Sequence, residues 1–311
     1  MSELPKNDLD EVVDTLHSPA DFVRWGASAF AQADLAFGHG LDNAFDEAYY
    51  LVRHSLHLPH EVPELYLRTR LLTEERRRVA QCILARLEGR KPAAYLTGEA
   101  WFCGLRFRVD ERVIVPRSPL AELIGDAFAP WLAHPPRRIL DLCSGSGCIA
   151  IACAMIFPEA EVHAVEIDPG AAELMFANIA DHGMEHRVFG HVGDLYAPLA
   201  AQGETAFDLI VTNPPYVPEE EWQALPAEYH AEPKLALAAG DDGMDVVARL
   251  LQGAPDWLSQ DGVLIGEIGA STAEFDSRFA DLPAHWPEFE FGGSGVFIIE
   301  RAALVDWLAR Q

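Results

Sequence analysis

From Arg137 to the end of the chain, short apolar runs and amphipathic segments take turns, and this alternation restricts the fold more than any other property of the sequence. Residues 138–143 (RILDLC), 161–167 (EVHAVEI), 187–194 (RVFGHVGD), 207–213 (FDLIVTN) and 262–269 (GVLIGEIG) have the length and β-branched content of strands. Between them, 148–157 (CIAIACAMIF), 171–183 (AAELMFANIADHG) and 245–258 (DVVARLLQGAPDWL) read as helices. Strands that are nearly continuous apolar runs need cover on both faces, and helical crossovers supply it. The expected class is therefore α/β, with a mostly parallel sheet. Segments 289–293 (FEFGG) and 295–301 (GVFIIER) predict a terminal antiparallel hairpin on that sheet. Such sheets bind ligands beyond the carboxyl ends of their strands, so the residues that matter stand where each strand stops.

The part before the sheet is different. Residues up to about Glu88 place apolar side chains at three- and four-residue spacings, as in 21–35, 46–56 and 73–89. Ser18-Pro19 and Asp46-Glu47 are expected helix starts, and Gly89 an expected stop. His54 and His57 have the spacing of a metal pair but no third ligand, and ordinary surface histidines are the better reading. Residues 95–118 change to alternation, and a β-hairpin turning at Asp110-Glu111 is expected before a helix over 120–132. The predicted organisation is a helical recognition domain at 1–94, a hairpin linker at 95–118 and a catalytic domain at 119–311.

Composition narrows the partners. Asp and Glu number 49 against 23 Lys and Arg, a formal net charge of −26. A field of that sign repels a phosphate backbone, which argues against free nucleic acid as the ligand. It suits either plain solubility or a strongly basic partner. The five cysteines are odd in number and form no C-x-x-C pair, which fits reduced thiols and neither a disulfide frame nor zinc. The first residues are acidic where a secretory leader would be basic and then apolar. The apolar run at 148–157 is too short to span a bilayer. A cytoplasmic protein without membrane attachment is expected.

The first strand runs into Asp141-Leu142-Cys143-Ser144-Gly145-Ser146-Gly147. Glycines here allow a tight turn and close approach of backbone to a ligand. A dinucleotide loop would share that property. Asp141 before the glycines and the lack of a basic loop residue point instead to a ligand with an ammonium and no pyrophosphate. Asp141 is expected to receive the ammonium, directly or through water. Glu166, ending the second strand, is placed to accept two ribose hydroxyls. Gly193-Asp194-Leu195, ending the third, offers a carboxylate to an adenine amino group. Taken together, these strand ends point to S-adenosylmethionine.

The fourth strand ends in Asn213-Pro214-Pro215-Tyr216, the most informative tetrapeptide of the chain. An amide or exocyclic amino nitrogen is a poor nucleophile, because its lone pair is delocalised. Its two coplanar hydrogens can be taken by the Asn213 side-chain oxygen and the Pro214 carbonyl. The prolines stiffen the turn, and the Tyr216 ring can cover the planar group. What remains is alignment for in-line displacement in a dry pocket, which needs no metal. The tetrapeptide serves two acceptor classes, adenine or cytosine in nucleic acid and glutamine in protein. The absence of a basic target-recognition module and the net charge favour protein glutamine over an adenine-N6 enzyme. A non-catalytic assembly factor that merely holds a ribosomal protein is the alternative from another class.

With these residues in hand, the chain resembles the protein-glutamine N5-methyltransferases of the HemK/PrmC and PrmB group over nearly its full length. Several segments are similar to the ribosomal-protein branch, PrmB: Phe37-Gly38-His39-Gly40 with Asp42-Asn43, Ala100-Trp101-Phe102-Cys103-Gly104, Val115-Pro116-Arg117-Ser118-Pro119, and Ser144-Gly145-Ser146-Gly147-Cys148-Ile149-Ala150. Release-factor enzymes usually carry Pro-Arg-Pro and an acidic residue where this chain has Pro116-Arg117-Ser118-Pro119, and two threonines in the glycine loop. The resemblance implies a class I methyltransferase, Rossmann-like, with the third protein of the large ribosomal subunit as substrate. It implies that Cys143, Ser144, Gly145, Ser146, Gly147, Glu166, Asp194, Leu195 and Asn213 line the cofactor. Asn213 with Pro214 would hold the acceptor amide, while Pro116 and Arg117 would face the substrate. An ion pair of Arg117 with Glu122 is the structural alternative. Relatives often have aspartate at the position of Glu166, so Asp168 is a second candidate for its role.

Overall fold

The computed structural model describes residues 9–59, 61–200 and 206–311. They divide into two units, one of residues up to Glu99 together with Pro226–Ala231, the other of Ala100–Leu225 with Glu232–Gln311.

The first unit is helical: α1 (Leu9–Thr15), α2 (Pro19–Gln32), α3 (Ala44–Ser55), α4 (Glu64–Leu67), α5 (Thr73–Gly89) and α6 (Ala93–Thr97). Ser18 starts α2 as expected. Its Oγ accepts the Asp21 N–H at 3.3 Å while Asp21 accepts the Ser18 N–H at 2.9 Å, a reciprocal cap that satisfies two otherwise orphaned donors. Helix α3 starts earlier than Asp46-Glu47, because Asn43 Oδ1 accepts the Asp46 N–H at 2.9 Å. The acidic pair then falls in the first turn, where the helix dipole favours it. Phe22, Phe30, Leu51 and Ile83 fill the core. Beside them lies a buried charge cluster. Arg86 is 0% exposed, donates Nε to Glu47, and donates Nη2 to the Ala36 carbonyl at 3.1 Å. Glu228, also 0% exposed, is 2.9 Å from Arg90 Nη2 and 3.7 Å from Arg86 Nη1. Burial pushes the Glu47 carboxyl up, against the pull of Arg86. His54 Nδ1 is 3.2 Å from Glu99, and His57 lies beyond the end of α3 in a left-handed conformation.

The second unit opens with a hairpin, β1 (Glu99–Phe102) and β2 (Leu105–Arg108). Its turn is Cys103-Gly104, not Asp110-Glu111, and 113–116 forms no strand. Cys103 and Gly104 both have positive φ, 49° and 73°, which matches a two-residue turn to the twist of its strands. Helix α7 (Leu120–Gly125) stops well short of residue 132. Ala127 and Phe128 turn left-handed there, and Phe128 is buried by that turn. Then follow β3 (Arg138–Leu142), α8 (Cys148–Ile156), β4 (Glu161–Glu166), α9 (Pro169–Asp181), β5 (Val188–Val192), α10 (Ala197–Ala200), β6 (Phe207–Thr212), α11 (Glu219–Ala224), α12 (Asp245–Trp257), β7 (Leu258–Glu267), α13 (Thr272–Arg278), β8 (Val296–Glu300) and α14 (Arg301–Leu308).

The large sheet has the order β5-β4-β3-β6-β7-β8, parallel throughout except for β8 against β7. The fold class is the expected α/β architecture with a mostly parallel sheet. Within its antiparallel end, 289–293 forms no strand, and Ile298 is bridged by His285 instead. The chain adds α14 after β8, where Leu304 and Trp307 cover Phe297 and Ile299. Among the described residues no helix is long and apolar enough to cross a membrane.

Candidate active site

Strand β3 is the switch point of the sheet. The chain leaves it for β4 and β5 on one side, and β6 and β7 lie on the other. Ligands of such sheets sit in the crevice outside the strand ends at this place. There the structure has a cavity of about 300 Å³, lined among others by Cys143, Gly145, Glu166, Asp194, Leu195 and Asn213. That volume is at the lower end of small-molecule sites. Apolar Leu195, Ile167 and Ala171 beside the carboxylates of Glu166, Asp168 and Asp194 suit a nucleoside with a flat base and hydroxyls.

The glycine loop is shaped by three left-handed residues, Cys143 (φ 60°), Gly145 (φ 53°) and Gly147 (φ 79°). At Gly147 a Cβ would come within 3.0 Å of Met175 Cγ, so the close approach of α8 to α9 requires glycine. Asp141 departs from the expectation of direct ammonium contact. It is 0% exposed and is not part of the cavity wall. Its Oδ2 accepts the Ser144 hydroxyl and the Ala150 N–H at 3.1 Å, so it ties the loop to the start of α8. Burial, with a smaller contribution from the nearby Glu166 charge, pushes its carboxyl up to about 7. Ser144, Ser146 and Gly147 likewise stand behind the wall; the Ser146 carbonyl accepts Asn178 Nδ2 at 2.9 Å.

Glu166 is 8% exposed and lines the cavity. Its two oxygens accept the N–H groups of Gly145 at 2.8 Å and Asp168 at 2.9 Å. These bonds aim the carboxylate while leaving each oxygen a further lone pair. Burial raises its carboxyl above the usual range. Asp168 also lines the cavity, but its Oδ1 accepts the Ala171 N–H at 2.8 Å as the cap of α9. Both carboxylates thus line the cavity while holding backbone N–H groups, two for Glu166 and one for Asp168. Asp194 is at the rim, with Oδ2 2.6 Å from Arg249, so an adenine amino group would share this carboxylate with a guanidinium.

Asn213 follows β6 and lines the cavity on one side and a narrow cleft on the other. The cleft is lined by Ile114, Arg117, Asn213, Tyr216, Leu237 and Glu267. Pro215 faces the cavity, Pro214 is buried, and Tyr216 belongs to the cleft. The Tyr216 hydroxyl is 3.4 Å from Glu267, and its carbonyl accepts Ser271 Oγ at 3.1 Å. Arg117 reaches the cleft but does not pair with Glu122. It forms a two-pronged ion pair with the fully buried carboxylate of Glu232, with Nη2 to Oε2 at 2.6 Å. Glu232 also accepts the Val115 N–H at 2.9 Å, which fixes the backbone before Pro116. Pro116 itself is buried and lines neither space. Glu122 instead accepts the N–H groups of Glu290 and Phe291 at 2.9 and 3.2 Å.

Sequence reading missed Glu267, Ile114 and Leu235. Glu267 carried a usable signal, a carboxylate at the end of the strand next to that of Asn213. Ile114 lies in an irregular segment where a hairpin strand was expected, and Leu235 in a single 3-10 turn too short to read from periodicity.

The methyltransferase small domain family matches residues 126–230 of this chain. A ribosomal protein uL3 glutamine methyltransferase from Bordetella pertussis is 47% identical over 291 residues, covering 93% of this chain and 97% of that protein. A protein of the same name from Xanthomonas campestris pv. campestris is 47% identical over 298 residues, covering 96% of each. Among solved structures, a methyltransferase from Pyrococcus furiosus gives a TM-score of 0.45 at 18% identity, covering 64% of this chain and 89% of that one.

Proposed function

The chain belongs to the family of ribosomal protein uL3 glutamine methyltransferases, and from that premise we propose that it methylates the side-chain amide nitrogen of a glutamine in the large-subunit protein uL3, with S-adenosylmethionine as donor. The observation that carries this reading is the position of Asn213, which borders both the nucleoside-sized cavity and the cleft that ends at Glu267.

Bound in the cavity, S-adenosylmethionine supplies an electrophilic methyl group. Glu166 would hold the ribose hydroxyls, and Leu195 and Ile167 would pack against the base. Asn213 Oδ1 and the Pro214 carbonyl accept the two amide hydrogens of the glutamine. Those bonds would align the nitrogen for displacement at the methyl and raise its electron density; as the N–C bond forms the C–S bond would break, S-adenosylhomocysteine would leave, and the surplus amide proton would pass to water. Tyr216, half-buried at the cleft, covers the planar amide. Arg117, braced by Glu232, lies on the substrate side.

A net charge of −26 would attract a basic protein substrate at long range. The test is mass mapping of methylated glutamine after incubation with purified uL3 and with peptide release factors. Methylation of uL3 alone is expected. Methylation of the release factor in preference to uL3 overturns the assignment of substrate.

A further inference from the structure

Glu267 is the last residue of β7, and the residue before it pairs in register with Thr212, the residue before Asn213. Two neighbouring strands therefore end by presenting an asparagine and a glutamate side by side. Glu267 is 4% exposed and lines the same cleft as Asn213 and Tyr216. Its carboxylate accepts the Ser118 hydroxyl and has the Tyr216 hydroxyl at 3.4 Å, and the strand register sets it beside the Asn213 side chain in the cleft.

The placing of a carboxylate beside Asn213 has a consequence for chemistry. A primary amide has one accepting end and one donating end, and a half-turn exchanges them. An asparagine that must accept a hydrogen from the substrate amide has to present oxygen, not nitrogen. An ionised carboxylate only accepts, so it can hold Asn213 through Nδ2 alone. We propose that Glu267 is the positioning residue of methyl transfer: by holding Asn213 Nδ2 it turns Oδ1 towards the substrate amide. This rests on the reading of Asn213 as acceptor of the glutamine amide.

The groups facing Glu267 make its charge state responsive to pH. Ser118 and Tyr216 donate to it, Asn213 lies beside it, and Arg117, itself paired with Glu232, attracts its charge. Burial outweighs them and pushes the carboxyl up to about 7. Once protonated, Glu267 can donate to Asn213 Oδ1, and the amide is free to turn the wrong way. Turnover carried by the ionised form therefore falls as pH drops through about 7.

The experiment measures kcat and KM against pH for the wild type, Glu267→Gln, Glu267→Asp, Asn213→Ala and the double variant Glu267→Gln/Asn213→Ala. Glu267→Gln can offer either end to Asn213, so kcat should fall by about tenfold to a hundredfold with KM for S-adenosylmethionine unchanged. Its pH profile should lose the limb near neutrality. Glu267→Asp, still an acceptor only, should recover part of kcat. In the Asn213→Ala background, Glu267→Gln should add little, because the two act as one unit. Wild-type turnover in Glu267→Gln, or full additivity in the double variant, overturns the role of Glu267. Wild-type turnover in Asn213→Ala overturns instead the reading of Asn213 on which the proposal rests. Should Glu267→Gln fail to fold, Ser118→Ala serves, since losing one donor should move the kcat midpoint to higher pH; an unmoved midpoint overturns the proposal.

Discussion

Thr212 Oγ1 donates to the Leu142 carbonyl at 2.8 Å, across two parallel strands in which these residues are register partners. The next residues are Cys143 and Asn213. One buried hydrogen bond thus locks the ends of β3 and β6, and brings the glycine loop and the tetrapeptide to the same cavity.

Asn213→Ala should leave S-adenosylhomocysteine affinity nearly unchanged and cut turnover about a hundredfold, the cost of one lost transition-state hydrogen bond of about 3 kcal/mol. Calorimetry and single-turnover methylation of uL3 separate the two effects. Unaltered turnover would show that the tetrapeptide is only a turn.

Glu166 and Asp168 are two residues apart and line one cavity, yet should respond differently. Glu166→Ala should weaken S-adenosylhomocysteine by more than tenfold, since charge-assisted hydrogen bonds contribute about 1.5–3 kcal/mol each. Asp168→Ala should chiefly lower thermal stability, by about 1 kcal/mol for a lost helix cap. Titration and melting of both variants check this, and an exchange of their effects would reassign the ribose contact to Asp168.

Asp141 gives stability a pH dependence of known sign. Its carboxyl has an ordinary value of 3.8 and is raised to about 7 in the fold. The folded state then binds the proton more tightly than the unfolded chain, so this contribution is full below 3.8 and is lost as pH rises through about 7. Glu267 adds in the same direction. Asp141→Asn should flatten the decline, measured as urea midpoints between pH 5 and 8. A wild-type slope in the variant would mean that Asp141 stays ionised throughout.

Arg86 serves Glu47, Ala36 and Glu228 within the helical unit. Arg86→Met keeps an apolar stem but leaves two buried carboxylates short of a cation, and should cost about 3 to 5 kcal/mol. Urea unfolding followed by circular dichroism measures it, and a loss under about 1 kcal/mol would mean the cluster is offset by its own desolvation.

Methylation of uL3 should slow in kcat/KM as salt is raised, because the Debye length shrinks to about 8 Å at physiological ionic strength and long-range attraction fades. Kinetics from low to high salt test this. A flat profile would assign recognition to shape and leave the acidic surface to solubility.

The alternation from Arg137 onward was enough to read the α/β class, and strand ends were enough to single out Cys143, Gly145, Glu166 and Asn213, which line one cavity. Those features are local, because periodicity and turn chemistry act over a few neighbouring residues. The hairpin turn at Cys103-Gly104, the short α7 and the loss of strand at 289–293 were not legible, since each depends on what the segment packs against. The partners of the polar groups were beyond the sequence for the same reason. Asp141 has the right place to meet a ligand's ammonium, but the packing of α8 on β3 buries it as an anchor. Arg117 chose Glu232, 115 residues away, over Glu122, because burial leaves a carboxylate no water to bind and makes the distant pair compulsory. Local pattern thus determined which strands exist and where they end. Only the register of β3, β6 and β7, set by packing between segments far apart in the chain, decided that Cys143, Asn213 and Glu267 meet.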